Sequence, residues 1–248
     1  MIFRTFVFGL LASLAEVLGG CIIYLNKSWP RRVQEALLAL GAGFILALVF
    51  LKLVPASIQA IGEKAMLFCV LGFATIHFFE HTIVGHLHFG EETHSDVMVS
   101  KTASLSAFSG LFVHAFFDGF TISIGMQFNF SLGILIFFGV LLHKFPEGLT
   151  IGSIVSAAGY SRKTALFSAL GLAGATMLGV CTLFVFQSIG AVAVGIGFAF
   201  SAGVAVYVGA SDLIPEINKS KDRIPPLIVF AGMILFYVSD LLLESIMR

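Results

Sequence analysis

The chain has 248 residues, 58% of them hydrophobic and 11% charged, with basic and acidic side chains balanced at 14 each and a mean hydropathy of +1.02. That composition excludes an ordinary soluble domain and points to a multi-pass membrane protein. Zero net charge removes the electrostatic basis for binding nucleic acid. Cys21, Cys69 and Cys181 fall in separate apolar runs without paired spacing, which excludes a disulfide framework and a thiolate metal site.

Eight apolar runs follow one another at about 3–25, 34–61, 65–86, 102–126, 131–155, 163–188, 190–217 and 224–247. Helix is expected for each, because backbone polar groups in hydrocarbon must be satisfied internally and no alternating barrel pattern is present. The fold class is therefore an all-α integral membrane protein, one polytopic domain over 1–248 with a polar, histidine-containing loop at 87–101. In the first run, Arg4 and Leu18-Gly19-Gly20-Cys21 have the look of a cleavable leader. Glu16 interrupts the apolar segment, however, and the run continues to Leu25, so a retained first helix is expected.

Basic residues set the orientation. Lys27, Arg31, Arg32, Lys101, Arg162, Lys163, Lys219, Lys221 and Arg223 lie in the odd-numbered loops, against Arg4, Lys64 and Arg248 on the other side. Both termini are then outside the cytoplasm, with a plasma (inner) membrane as the expected location. A repeat is also visible. Ala42-Gly43 followed by Lys52-Leu53-Val54-Pro55 matches Ala202-Gly203 followed by Asp212-Leu213-Ile214-Pro215 at a constant offset of 160. The second and seventh runs cross in opposite directions, so an inverted repeat of spans 1–3 and 6–8 is expected around spans 4 and 5.

Those central spans carry the chemistry. His114 precedes Asp118 by four residues, and His143 precedes Glu147 by four, placing each pair on one helix face about a turn apart. The loop Gln127-Phe128-Asn129-Phe130 makes the spans antiparallel neighbours and brings the two pairs to similar depth. Four such side chains in hydrocarbon are costly and functional by default. They form either a nitrogen/oxygen site for a divalent transition metal or a set of interhelical hydrogen bonds, and the matched depth favours the metal. Pro146 lacks an amide hydrogen and frees the carbonyl of Leu142 beside the ligands. Gly119 and Gly148, directly after the carboxylates, let another backbone approach.

His-Ala-Phe-Phe-Asp-Gly (114–119) and His-Lys-Phe-Pro-Glu-Gly (143–148), one span apart, closely resemble the paired motifs of the ZIP (Zrt/Irt-like) metal-ion transporters. The eight spans, outside termini, histidine-bearing third loop and Pro-terminated second and seventh spans resemble that family as well. The resemblance implies movement of Zn2+, or of Fe2+, Mn2+ or Cd2+, into the cytoplasm by elevator-like alternating access, with no prosthetic group; the two imidazoles and two carboxylates leave Co2+ open as well. It implies a transport site of His114, Asp118, His143 and Glu147. Many family members have polar or acidic residues directly after each histidine, building a second, bridged metal position; here these positions are Ala115 and Lys144. An ammonium does not ligate and repels a second dication, so one metal is expected, with Lys144 standing in the second position, tethered to Glu147 or paired elsewhere, for instance with Glu16. This resembles the family branches with lysine there.

Further polar residues sit along the chain. His81, His86, His88 and His94 form either a metal-capturing cytosolic tract or a solvated loop. Asp212 and Glu216 either line an inner exit or cap a helix end. Asp240 and Glu244 lie where an outer route would start, and Lys52 is placed to pair with Asp240 as a salt bridge or outer gate. Thr121, Ser123, Thr150 and Ser153 either line the path or bond their own backbone. An enzyme is not expected: an intramembrane zinc-dependent hydrolase would carry H-E-x-x-H or G-x-S-x-G, and neither occurs. A metal-responsive receptor would need a large soluble domain. The partners expected are a metal ion and the lipid bilayer, with no nucleic acid and a homodimer left open.

Overall fold

The computed structural model describes residues 2–25, 30–79, 82, 101–182, 184, 191–218 and 223–247. Among these, eight helical rods account for nearly all of the chain. They are α1 (Ile2–Tyr24), α2 (Arg31–Leu48, continued by Val49–Leu53 and Val54–Ile61) and α3 (Lys64–Phe78). Then come α4 (Lys101–Phe128), α5 (Phe130–Ala157), α6 (Arg162–Cys181), α7 (Ala191–Tyr207, continued by Val208–Leu213 and Ile214–Asn218) and α8 (Ile224–Met247). Seven of the eight are long and apolar enough to cross a bilayer. The exception is α3: its described part has 15 residues, shorter than the expected 65–86. Of the expected loop at 87–101, residues 87–100 with His88 and His94 lie outside the described residues, as do His81 and His86 before it.

Local chemistry sets the boundaries. The Asn129 side chain accepts the Leu132 amide at 3.2 Å and starts α5, and the Ser161 hydroxyl accepts the Thr164 amide at 3.2 Å and starts α6. Gly62 (φ 70°) ends α2 and Gly159 (φ 80°) follows α5, both in a backbone region that penalises a Cβ. On α1, Thr5, Gly9, Ala12, Ser13, Glu16, Gly19 and Gly20 are buried, while Phe3, Leu10, Leu14 and Leu18 stand exposed on the other side. That is the division expected of a helix with one face on protein and one on lipid.

Two features break the expected uniform helices. Val49–Leu53 in α2 and Val208–Leu213 in α7 are π-helical. There the Val54 amide reaches the Val49 carbonyl, and the Ile214 amide reaches that of Gly209. The cause lies one residue on: Pro55 and Pro215 cannot donate to the carbonyl four residues back and would collide with it, so the preceding turn widens.

Packing divides the rods into two groups of four. α1, α4, α5 and α6 pack on one another, as do α2, α3, α7 and α8; α2 against α5 and α4 against α7 join the groups. Glycines mark the closest approaches, and their neighbours recur at the 160 offset. Gly43 lies against the Val229 carbonyl as Gly203 lies against that of Cys69, and Gly72 meets Phe200 as Gly232 meets Leu40. In the first group, Gly148 lies against the Glu16 carbonyl and Gly119 against that of Thr176.

Candidate metal centre

α4 and α5 run side by side through the middle of the protein, so residues at equal distances from their shared turn meet. His114, Asp118, His143 and Glu147 are all buried, none more than 6% exposed. Each offers one ligand atom, and these atoms lie within 4.8 Å of one another. Ligands on one ion at about 2.0–2.2 Å are separated by at most about 4.4 Å, so the spacing would let all four reach a single ion after small rotamer adjustments. The two imidazoles meet edge to face, with centroids 5.7 Å apart at 89°.

The hydrogen bonds orient this set. His143 Nδ1 lies 3.0 Å from the Gly139 carbonyl, which only an N–H can satisfy. That fixes the tautomer, so the neutral ring turns the lone pair of Nε2 towards Asp118 Oδ2 at 3.1 Å. Two acceptors this close repel unless a positive charge lies between or beside them. His114 Nε2 makes a second approach to the same oxygen at 3.3 Å. Glu147 Oε1 is buried without a hydrogen-bond partner, a costly condition in a dry interior that a cation relieves.

One internal cation is already present. Lys144 is fully buried. Its Nζ donates to Glu147 Oε2 at 2.7 Å and lies 3.0 Å from Asp118 Oδ2 and 3.5 Å from Glu16 Oε1. Both partners suggested by the sequence are therefore found together, and Asp118 is a third. Glu16, on α1, the charge that interrupts the first apolar run, belongs to this cluster. The Thr176 hydroxyl donates to Glu16 Oε2 at 3.4 Å.

The remaining polar residues divide clearly. Asp212, on the π-helical turn of α7, is buried with Oδ2 3.7 Å from His114 Nδ1, on the face of the site away from the α4–α5 turn. Glu216 falls in the last helical turn of α7, and its side chain is outside the described set. Asp240 and Glu244 do not join the central cluster: each lies 2.9 Å from Lys52. The hydroxyls of Thr121, Thr150 and Ser153 donate to carbonyls four residues back, whereas buried Ser123 Oγ has no hydrogen-bond partner. A cavity of about 20 Å³, room for roughly one water, touches Asp118, His143 and Thr121 on the side of the α4–α5 turn. The rest of its lining is apolar, Ile136, Val140, Leu48 and Val204 among it.

Comparison with known proteins bears on this arrangement. Residues 85–240 match the model of the ZIP zinc transporter family. The chain is 28% identical over 151 residues to "Zinc transporter SLC39A7" of Rattus norvegicus, and equally to that of Canis lupus familiaris. Each match takes in 58% of this chain and 32% of the relative. It is 29% identical over 157 residues to "Zinc transporter ZIP9" of Micropogonias undulatus, across 60% of this chain and 50% of the relative. The matched part of the chain thus spans about a third to a half of the length of these curated relatives. The matched family segment is more than half of the chain and contains both His-x-x-x-carboxylate pairs, Lys144 and the π-helical turn with Asp212; the chain belongs to the ZIP zinc transporter family.

Proposed function

We propose that this protein carries a divalent transition metal, zinc first, across a membrane into the cytoplasm by way of His114, Asp118, His143 and Glu147. The observation that carries this reading is the convergence of four buried nitrogen and oxygen ligands between α4 and α5. Two imidazoles with two carboxylates and no thiolate suit Zn2+ and allow exchange, as a transport site requires. The site takes one ion, because the Lys144 ammonium occupies the neighbouring position. A transporter, rather than an enzyme, is the reading that the named relatives support.

Alternating access follows from an inverted repeat relating α1–α3 to α6–α8 and α4 to α5. Its support is the exchange of contacts: Gly43 with Val229 against Gly203 with Cys69 at the 160 offset, and Gly119 with Thr176 against Gly148 with Glu16, where Glu16 and Thr176 are again 160 apart. The group holding the site (α1, α4, α5, α6) moves against the other four helices. The basic loops support an outer position for the α4–α5 turn; on that reading the small cavity at Asp118 faces the outer approach and Asp212 the inner exit. Uptake of ⁶⁵Zn2+ into proteoliposomes tests the reading: the wild type transports, and His143→Ala loses uptake. Binding without translocation would instead favour a metal-responsive receptor or a hydrolase. Competition by Fe2+, Mn2+, Co2+ and Cd2+ ranks the cargo.

A further inference from the structure

Lys144 faces three carboxylates, two of which it cannot keep. Its Nζ lies 2.7 Å from Glu147 Oε2 and 3.0 Å from Asp118 Oδ2, both on residues proposed as metal ligands. A dication bound there takes up the lone pairs that the ammonium uses and repels the ammonium itself. An ammonium in a buried site must still have acceptors for its three donors. Glu16 supplies the remaining one: Oε1 is 3.5 Å from Nζ and has no hydrogen-bond partner, although the residue is fully buried.

We infer that Glu16 receives the Lys144 ammonium when a metal ion enters, so that a carboxylate on α1, itself not a ligand, positions an internal cation and thereby sets metal affinity. The movement needed is small. Closing 3.5 Å to the about 2.7–2.9 Å of a charge-assisted hydrogen bond takes less than an ångström. Glu16 is held for this purpose from two sides. Thr176 donates to its Oε2, and its backbone carbonyl packs on Gly148, next to the ligand Glu147. The charges also agree. Lys144 and the three carboxylates around it sum to −2, which one dication neutralises. Because α1 and α5 pack in the same four-helix group, the pair remains together however that group moves.

This inference rests on the metal-site reading above, and the test separates the two. Zn2+ is titrated calorimetrically into the purified full-length chain in detergent, with thermal melts of each variant. A wild type that binds no Zn2+ overturns the site reading itself. With the wild type binding, Glu16→Gln is expected to raise Kd at least tenfold, because the ammonium then remains on Asp118 and Glu147. Lys144→Met does not weaken binding, and Glu16→Gln with Lys144→Met together returns Kd to the wild-type value or below. A folded Glu16→Gln protein with unchanged Kd, even with a lowered Tm, makes the pair merely structural and overturns the inference. Should Glu16→Gln alone fail to fold, the double variant decides: wild-type or tighter binding supports the inference, and weaker binding overturns it.

Discussion

Replacing Gly148 with alanine tests whether backbone contact between α1 and α5 fixes the site. The added Cβ would collide with the Glu16 carbonyl oxygen, with the Glu16 carbonyl carbon and Cα close behind. These are backbone atoms, so no side chain can turn away, and the helices must part by about 1 Å, at an overpacking cost of about 1–3 kcal/mol. The preceding residue is Glu147, and metal–ligand distances tolerate only about 0.2 Å. Displacement on the scale of 1 Å costs about a hundredfold where geometry matters this closely. Gly148→Ala is therefore expected to lower Tm by several degrees, at about 2–4 °C per kcal/mol, and to reduce Zn2+ uptake in proteoliposomes far more than expression. Gly119→Ala, whose Cβ would meet the Thr176 carbonyl, should behave alike. Gly174, in α6 with nothing near its Cβ position, is the control. Its alanine variant should be neutral or stabilised by up to about 1 kcal/mol. Wild-type uptake and Tm in Gly148→Ala, or equal damage from Gly174→Ala, would refute the reasoning.

Two further predictions concern the buried and half-buried lysines. Lys144→Ala is expected to change the rate or the ranking of Zn2+ against Cd2+ and Mn2+ without abolishing uptake, because it alters the charge beside the ligands and removes none of them; equilibrium dialysis of the wild type should give one tightly held ion per chain. Lys52→Gln leaves Asp240 and Glu244 together without their shared cation. A loss of roughly 1 kcal/mol, near the upper end for partly exposed pairs, is expected in a thermal melt, with Zn2+ Kd unchanged.

The centre was legible because two short-range rules cooperate. Four-residue spacing puts each histidine over its carboxylate, and equal counts from the Asn129 turn put the two pairs at one depth. Lys52 with Asp240 was legible for a similar reason, since both lie near the same end of adjacent spans. Glu16 was harder to place. Its membership depends on α1 docking against α5 through Gly19 and Gly148, a contact between helices far apart in sequence that no local pattern announces. The π-helical turns show a different limit. Pro55 and Pro215 stood out in the sequence as matching positions of the repeat, but a kink, a break or a widened turn can each answer a proline, and the surrounding packing chooses. For the third span, the described helix runs to Phe78, and the apolar run continues to His86 beyond the described residues.

The most direct measurement is zinc K-edge X-ray absorption on purified protein loaded with one equivalent of Zn2+. Two imidazole nitrogens at about 2.0–2.1 Å and two carboxylate oxygens at about 2.0–2.2 Å, with no sulfur near about 2.3 Å, are predicted, with imidazole scattering halved in His143→Ala. A sulfur shell, an all-oxygen shell, or a spectrum unchanged by that substitution would contradict the account.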